Sequence, residues 1–255
     1  MASRDEIVSF CDDLLSPGLF ADHTPNGLQV HGQPEVGCLA TGASPSLMLF
    51  REAAARGAQL ILLHHGLFWD RDPRVVDALM APRLRALLER EINLLAYHLP
   101  LDAHPEVGNN ACLARLAGLE ELDFAFGAHQ GQHLGCLGRL REPLALGELA
   151  SRLARPLAAQ PVLVEAGPAQ VRRVGVVSGG AGDPALLLQA RQAGCDAYLT
   201  GSLAEPGVAA ARELGLGVIA LGHYNSEKLG VRALGDRLGA RFGLEVVHLD
   251  VPNPV

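Results

Sequence analysis

The stretch Leu60-Ile61-Leu62-Leu63-His64-His65-Gly66-Leu67-Phe68-Trp69 decides how this chain folds. Its four consecutive aliphatic residues predict a short, fully buried β-strand. Two adjacent histidines follow where the apolar run stops, and Gly66 allows the chain to turn away. The position just past the carboxyl end of a strand is where α/β sheets usually hold ligands and metals.

His64 and His65 are candidate metal ligands because they stand side by side at this strand end. A single histidine is more often a satisfied core or surface residue than a ligand. Consecutive strand residues point to opposite faces, so the two imidazoles converge only if the backbone has already left the strand. The tandem pair therefore predicts a metal site that other residues complete.

The composition is that of a globular chain. Its 255 residues, 49% of them hydrophobic with a mean hydropathy of +0.18, suffice for one large core or two modest ones. No window reaches the roughly 18 apolar residues of a membrane helix, and Met1–Glu6 does not resemble a signal peptide. Five scattered cysteines favour buried thiols in a reducing compartment, and a net charge of −7 argues against a nucleic-acid surface. We therefore expect a cytoplasmic protein.

Strands and helices alternate along the first half of the chain. Ser3–Glu6 fits a capping box that opens an amphipathic helix. After a strand at 36–41, Ser44-Pro45 predicts an N-cap followed by the first helical residue. A helix interrupted at Pro82 and a strand at 92–97 come after the histidines. Such near-continuous apolar strands between helices predict an α/β sheet with both faces covered.

The second half of the chain continues this pattern with shorter segments. Strands are predicted at 133–140, 161–165, 171–178, 195–200 and 218–221, with a helix around 146–153. The last of these strands ends in GHYNSE at 222–227, which opens the final long helix.

Two further strands end in residues that can bind a metal. Asp102 follows the strand at 92–97, and His223 and Glu227, four residues apart on one helix face, follow the strand at 218–221. Taken singly, Asp102 fits a helix cap and His223 with Glu227 fits a local hydrogen bond. Because the carboxyl ends of parallel strands lie along one edge of a sheet, we expect all of these side chains to meet His64 and His65 there.

Three imidazoles and two carboxylates are too many for one tetrahedral ion with an open position. They suit two divalent ions per chain, with one carboxylate bridging and water completing the shells. The donor set fits zinc, iron, manganese, cobalt or nickel without choosing among them. His98, His104 and His129 are candidates for contacts around the metals or to the substrate, with plain solvation as the alternative. His98 and His104 are also the candidate proton shuttles and thus the candidate catalytic residues.

The loop SGGAGD at 178–183 joins a strand to a helix. Its glycines are typical either of a nest of backbone N–H groups that binds an anion or of a tight turn with positive φ. It lacks the lysine of a P-loop and the GxGxxG of a Rossmann turn, so neither nucleotide-binding fold is supported. A GxSxG nucleophile elbow is also missing from the sequence.

Five motifs resemble the Nif3-like family of dinuclear-metal proteins, often described as GTP cyclohydrolase 1 type 2 homologues. They are NGLQVHG at 26–32, LLHHGLFW at 62–69, HLPLDAHPEVGNN at 98–110, SGGAG at 178–182 and GHYNSEKLG at 222–230. They occur in the family's order and span nearly the whole chain, and HHGLFW together with GHYNSE is specific. The resemblance implies five metal ligands: His64, His65, Asp102, His223 and Glu227.

The resemblance also implies an architecture. A metal-binding α/β domain is formed from both chain ends, residues 1–125 and 220–255, and a smaller α/β domain is inserted at 126–219. The resemblance further implies that the chain forms a toroidal homohexamer, a trimer of dimers, with the metal sites facing an internal cavity. One position departs from the family: after the strand ending at 201 relatives often have Glu, whereas this chain has Ser202, with Glu205 three residues on.

Two functions are compatible with these residues. The first is a metal-dependent hydrolase acting on a nucleotide or a similar heterocycle, in which two ions activate water. In a cyclohydrolase the target is C8 of guanine, and in a phosphoesterase variant the loop at 178–182 holds the phosphate. The second is a non-enzymatic, ring-forming metal-binding or regulatory scaffold, since a fold alone does not decide function. A ring that encircles DNA is disfavoured by the acidic charge balance.

Overall fold

The structure is a computed structural model that describes residues 1–253. The chain divides into two compact units. Unit 1 comprises Met1–Leu101 and Gly230–Pro252, and unit 2 comprises Asp102–Leu229 together with Asn253. Each unit contains helices and its own sheet, which confirms the predicted α/β class. The domain limits of 125/126 and 219/220 stay a prediction.

Unit 1 is built on a five-stranded sheet. Its strands are β2 (Gly27–Val30), β4 (Cys38–Gly42), β5 (Leu60–Leu63), β6 (Asn93–Ala96) and β13 (Glu245–His248). The spatial order is β13-β4-β5-β6-β2, with all neighbours parallel except β2, which lies antiparallel to β6 at the edge. A separate antiparallel pair is formed by β1 (Ala2–Ser3) and β3 (Glu35–Val36). All four residues of β5 are buried, as the aliphatic run predicted.

Unit 1 has three helices before β6: α1 (Arg4–Leu15), α2 (Leu47–Ala55) and α3 (Met80–Leu88). A 3-10 turn at Pro17–Leu19 follows α1. Phe50 on α2 and Leu87 on α3 pack in one core with Ile61 and Leu63 of β5. Burial of such side chains contributes about 1.5–3 kcal/mol each, so this core fixes the strand whose end carries the tandem histidines.

The helix starts differ from the prediction in three places. Ser3 precedes α1 but makes no side-chain capping bond, so the capping box does not form. The N-cap of α2 is Ser46, whose Oγ accepts from Leu49 N at 3.1 Å, and not Ser44. Pro82 does not interrupt α3 because it lies in the first turn, where backbone N–H groups have no intrahelical acceptor.

Unit 2 is built on a six-stranded mixed sheet. Its strands are β7 (Leu119–His129), β8 (Gln132–Leu144), β9 (Val162–Val164), β10 (Val171–Val176), β11 (Ala197–Thr200) and β12 (Gly217–Ala220). The order is β7-β8-β10-β11-β12-β9, in which β10, β11 and β12 are parallel and the other neighbours antiparallel. Four helices belong to this unit: α5 (Asn109–Ala117), α6 (Leu146–Leu157), α7 (Pro184–Gln192) and α8 (Glu205–Leu214).

The expectation that three ligand-bearing strands end along one sheet edge is wrong. β5 and β6 are parallel neighbours in the sheet of unit 1. β12 belongs instead to the sheet of unit 2, between β11 and β9. An apolar run predicts that a strand is buried, but it carries no information about which strand will be its neighbour.

Two helices start directly after strands that were predicted to carry ligands: α4 (Leu99–Ala103) after β6 and α9 (His223–Phe242) after β12. α9 carries Lys228, the only lysine in the sequence, which is 5% exposed. Its Nζ donates to Leu157 O at 2.8 Å and to Asn225 Oδ1 at 3.2 Å. A cation is favoured at a helix C-terminus, so Lys228 ties the start of α9 to the end of α6.

In the described part of the chain, no helix combines the length and the apolar character needed to cross a membrane.

Candidate metal centre

The tandem histidines lie beyond the end of β5, as predicted. His65 N donates to Ala43 O at 2.8 Å, and the imidazole rings of His64 and His65 have centroids 4.7 Å apart. A Cβ at Gly66 would overlap the Thr24 hydroxyl. The turn that brings the two rings together therefore needs glycine at position 66.

Both imidazoles are held at Nδ1. The Nδ1 atom of buried His64 lies 3.1 Å from the Tyr97 carbonyl oxygen. A carbonyl only accepts, so this Nδ1 carries the hydrogen and Nε2 carries the lone pair. Tyr97 is anchored in turn, because its hydroxyl donates to Asp12 Oδ1 at 2.7 Å. His65 Nδ1 lies 2.8 Å from Ser44 Oγ. Outer partners of this kind orient metal-binding histidines.

His98 joins the tandem pair. Its ring centroid lies 5.0 Å from that of His64 and 5.6 Å from that of His65. Its Nδ1 lies 2.8 Å from Asp22 Oδ1, and the Leu99 backbone N–H donates to the other carboxylate oxygen at 3.0 Å. Burial of Asp22 works against its ionisation, yet these hydrogen bonds, led by that from His98, hold its pKa well below the usual range. Each of the three histidines offers a ring nitrogen within 4.8 Å of the others.

In unit 2, one imidazole and two carboxylates gather. His223 Nε2 and Glu227 Oε2 lie 3.0 Å apart on the first turn of α9. A carboxylate oxygen of Asp102 lies within 4.8 Å of one from Glu227. Asp102 and Glu227 are only 6% and 3% exposed. Burying carboxylates is unfavourable unless opposite charge compensates them, and a divalent cation provides that charge.

Asp102 is fixed by the side chains of Asn109 and Ser178, for which no local sequence pattern indicates this role. Asn109 Nδ2 and Ser178 Oγ donate to Asp102 Oδ1 at 2.8 and 3.3 Å. Asn110 Nδ2 donates to the Asp102 carbonyl at 3.2 Å, and its Oδ1 accepts from Ser178 N at 2.7 Å. Both asparagines are at most 1% exposed, and two adjacent amides at the start of a largely apolar helix were the signal available in the sequence.

The glycine-rich loop at 178–182 packs against the start of α9. Gly179 has φ of +66°, and a Cβ there would overlap the Glu227 carboxylate and lie 3.4 Å from His223 Nε2. The Gly179 N–H donates to Ser226 Oγ at 2.9 Å, and the Ser178 N–H has Asn110 as its acceptor. These two N–H groups already have protein partners, which favours the tight-turn interpretation over an anion-binding nest.

A model of the family described as Duf34/NIF3 (NGG1p interacting factor 3) matches residues 2–254. The chain belongs to the DUF34/NIF3 family. A relative from Pseudomonas aeruginosa, named GTP cyclohydrolase 1 type 2 homolog, is 42% identical over 97% of each chain.

Two solved structures support the same assignment. Protein ybgI, described as of unknown function, is 36% identical with a TM-score of 0.91, and TTHA1606 from Thermus thermophilus is 36% identical with a TM-score of 0.88. Both similarities cover 100% of each chain. These matches confirm both the family resemblance and the NIF3-like α/β fold inferred from the sequence.

The structure also describes the surroundings of four other residues that the sequence singled out, namely His104, His129, Ser202 and Glu205. His104 Nδ1 accepts two backbone N–H groups of the turn before α5, at 3.1 and 3.2 Å, so it holds that turn. His129 is exposed at the end of β7. Ser202 N donates to Gly179 O at 2.9 Å, and Glu205 is exposed at the first position of α8. Within residues 1–253, His64, His65 and His98 of unit 1 form a group that could hold a metal ion.

Proposed function

We propose that this NIF3 protein is a dinuclear metal-dependent hydrolase that opens a nucleotide or a related heterocycle in a GTP cyclohydrolase-like reaction. In the proposal, two divalent ions per chain are held by five residues: His64, His65, Asp102, His223 and Glu227. The observation that carries it is the hydrogen bond from His64 Nδ1 to the Tyr97 carbonyl, because it makes Nε2 the metal-binding nitrogen.

The donor groups fit a pair of divalent cations. Imidazole nitrogens and carboxylate oxygens suit zinc, iron, manganese, cobalt and nickel, and the two buried carboxylates offset much of the cationic charge. When bound, two such ions supply Lewis acidity and lower the pKa of water toward neutrality. Hydrogen bonds from the chain's own residues orient the ligands. Ser44 Oγ bonds to His65 Nδ1, and Asn109 Nδ2 donates to Asp102 Oδ1.

The name of the Pseudomonas aeruginosa relative, GTP cyclohydrolase 1 type 2 homolog, supports a nucleotide as the substrate class. The phosphoesterase variant has less support, because the N–H groups of Ser178 and Gly179 already bind Asn110 and Ser226. His104 is disfavoured as a proton shuttle, since its Nδ1 is engaged by the backbone of the following turn.

The proposal includes a cytoplasmic homohexamer, a trimer of dimers, without nucleic-acid or membrane partners. Five free cysteines suit a reducing compartment. Sedimentation velocity tests the assembly, for which we expect a species of six 26.9 kDa chains. A monomer or dimer at micromolar concentration would contradict the assembly while leaving the metal proposal intact.

Metal content tests the ligand set. Protein purified without chelator and reloaded with zinc, manganese or iron is expected to hold two ions per chain by mass spectrometry. His64→Ala and Glu227→Ala are expected to hold fewer, because each removes a ligand. His129→Ala and Glu148→Ala, at exposed positions, are the matched controls and are expected to keep both ions. No ion after reloading, or equal loss in the controls, would refute the set.

Turnover separates an enzyme from a scaffold. The reloaded protein is expected to convert GTP or a related purine nucleotide, detected by liquid chromatography, and Glu227→Ala is expected to lose that activity. Two ions per chain without turnover of any nucleotide or phosphoester tested would instead support the metal-binding scaffold.

A further inference from the structure

Unit 1 contains a cavity between helices α2 and α3 that is lined by three arginines. Arg51 lies on α2, Arg85 on α3 and Arg90 just past the end of α3, and Glu89 is the only acidic residue of the lining. The volume of this α2–α3 cavity is about 590 Å³, and small-molecule sites in proteins span roughly 300–1,000 Å³. We propose that the α2–α3 cavity binds a phosphorylated small molecule with an apolar or aromatic body.

The cavity is formed by the helix faces that do not enter the core of unit 1. Leu47, Arg51 and Ala55 line it and stand four positions apart on α2, a spacing that places side chains on one helix face. Leu49 and Phe50 between them are buried in the core instead. The lining residues of α3 follow each other at intervals of three and four in the same way. Each helix therefore fixes its lining residues by packing its opposite face.

The charge of the cavity is opposite in sign to that of the whole chain. The chain carries a formal net charge of −7, whereas the lining has three positive residues and one negative, a balance of +2. Within residues 1–253, Arg51 and Arg90 form no ion pair, and Arg85 Nε lies 3.8 Å from Glu89 Oε1. An exposed pair of this length contributes little. Like charges around one cavity repel one another, and a bound anion relieves that repulsion.

The arginines favour a phosphate group as the anion. A guanidinium presents its N–H groups as a planar fork that matches two oxygens of a phosphate or a carboxylate. A carboxylate has two oxygens and one charge, which one guanidinium already satisfies. A phosphate monoester has three terminal oxygens and a charge of about −1.5 to −2 near pH 7. Its charge therefore offsets the balance of the lining, and its oxygens can engage more than one guanidinium.

The remaining lining residues favour an apolar body for the ligand. None of them has a side chain that donates or accepts a hydrogen bond: they are Leu47, Ala54, Ala55, Pro82 and Ala86. A hydroxyl or amide pressed against such a surface loses its hydrogen bonds to water without replacement, which is unfavourable. Hydrocarbon or an aromatic ring gains from the same contact.

Phenylphosphonate is the probe that tests the site, because its carbon–phosphorus bond resists hydrolysis by a loaded metal centre. Isothermal titration calorimetry of the full chain is expected to show one molecule bound per chain. Arg51→Gln and Arg90→Gln are each expected to weaken binding about tenfold, since each removes a charge-assisted hydrogen bond. Glu89→Gln is expected to tighten binding about three- to fivefold, since it removes a repelling charge.

The matched control is Arg56→Gln. Arg56 is an exposed arginine at the end of α2 that pairs with Glu52 at 3.0 Å and does not line the cavity. Its substitution is expected to leave binding unchanged. No binding at millimolar phenylphosphonate, or an equal loss in Arg56→Gln, would overturn the site. Inorganic phosphate that binds as tightly as phenylphosphonate would overturn the assignment of an apolar body.

A further arm separates this site from the proposed metal centre. Glu227→Ala is expected to bind phenylphosphonate as the unsubstituted protein does. Binding that is lost in Glu227→Ala but kept in Arg51→Gln and Arg90→Gln would place the phosphonate at the metals, which refutes the cavity site and leaves the proposed function standing. Circular dichroism checks the fold of each variant. Because unfolding does not strengthen binding, Glu89→Gln decides the case even where an arginine variant unfolds, and unchanged or weaker binding in folded Glu89→Gln refutes the site.

Discussion

Substitution of Gly179 offers the sharpest test of whether Glu227 is a metal ligand. A methyl group at this position would overlap the Glu227 carboxylate, with Cβ 2.9 Å from its carbon atom and 3.4 Å from His223 Nε2. Because ordinary contacts start near 3.5 Å, the carboxylate carbon has to withdraw by about 0.6 Å. Metal–ligand distances in proteins agree with their standard values to within about 0.2 Å, so this displacement is large for a ligand. We therefore expect Gly179→Ala to weaken zinc binding by at least about tenfold.

The same substitution also strains the backbone, and two other glycines separate the effects. Gly179 has φ of +66°, and alanine in this region costs about 1–2 kcal/mol. Gly194 has φ of +75° with nothing within 4 Å of its added Cβ, so Gly194→Ala carries the strain alone. Gly180 has ordinary contacts of 3.6 and 3.8 Å to the His223 ring, so Gly180→Ala carries neither effect.

Two measurements distinguish these variants. The unfolding temperature of chelator-treated protein is expected to fall in Gly179→Ala and Gly194→Ala, by about 2–4 °C for each kcal/mol of backbone strain. It is expected to stay unchanged in Gly180→Ala. Competition with a chromophoric chelator is expected to show weaker zinc binding for Gly179→Ala alone. Zinc affinity in Gly179→Ala equal to that in Gly194→Ala would show that Glu227 is not a ligand.

Three further predictions concern other parts of the chain. Ser44→Ala is expected to lower zinc affinity about 10–100-fold, because it releases His65 Nδ1. Ser46→Ala removes the α2 cap, so it is expected to cost about 1 kcal/mol of stability in urea unfolding and to leave the zinc affinity unchanged. The reverse pattern would contradict both assignments. Asn93→Ala removes the three hydrogen bonds of a fully buried side chain, at 2.7, 2.7 and 3.0 Å, so the free energy of unfolding is expected to fall by about 2–4 kcal/mol. A loss below about 1 kcal/mol would show that these bonds contribute little. Burial raises the pKa of the Cys136 thiol to about 12, so the folded chain keeps a proton that the unfolded chain loses above about pH 8.5. The free energy of unfolding is therefore expected to decline between about pH 8.5 and pH 12. The fall of the urea midpoint between about pH 8 and 10 is expected to be smaller in Cys136→Ser, and an equal fall in both proteins would contradict this assignment.

The strand β5 and the position of His64 and His65 at its end could be predicted because the sequence signals for both are local. A continuous aliphatic run predicts a buried strand wherever it lies in a sheet, and β5 is buried along its whole length. The tandem histidines stand directly at its end, so their position follows from the strand alone. The start of α9 at His223 was equally local, since His223 and Glu227 lie one turn apart.

The features that sequence reasoning missed depend on partners far along the chain. Ser44 fits an N-cap as well as Ser46 does, and only the hydrogen bond to His65, 21 residues away, assigns it elsewhere. β7 was missed because acidic residues interrupt its apolar pattern, yet its pairing with β8 stabilises it. The placement of β12 in a separate sheet is likewise a matter of pairing, which local patterns do not encode.

The single lysine makes the amine chemistry of this chain unusually simple. Apart from the α-amino group, every amine-directed reagent meets one side chain, and that side chain lies buried at the junction of α6 and α9. Acylation of Lys228 requires the junction to open and the Leu157 carbonyl to be released. The labelling rate of one amine therefore measures how often the helix turn that bears His223 and Glu227 leaves its place, without any engineered probe.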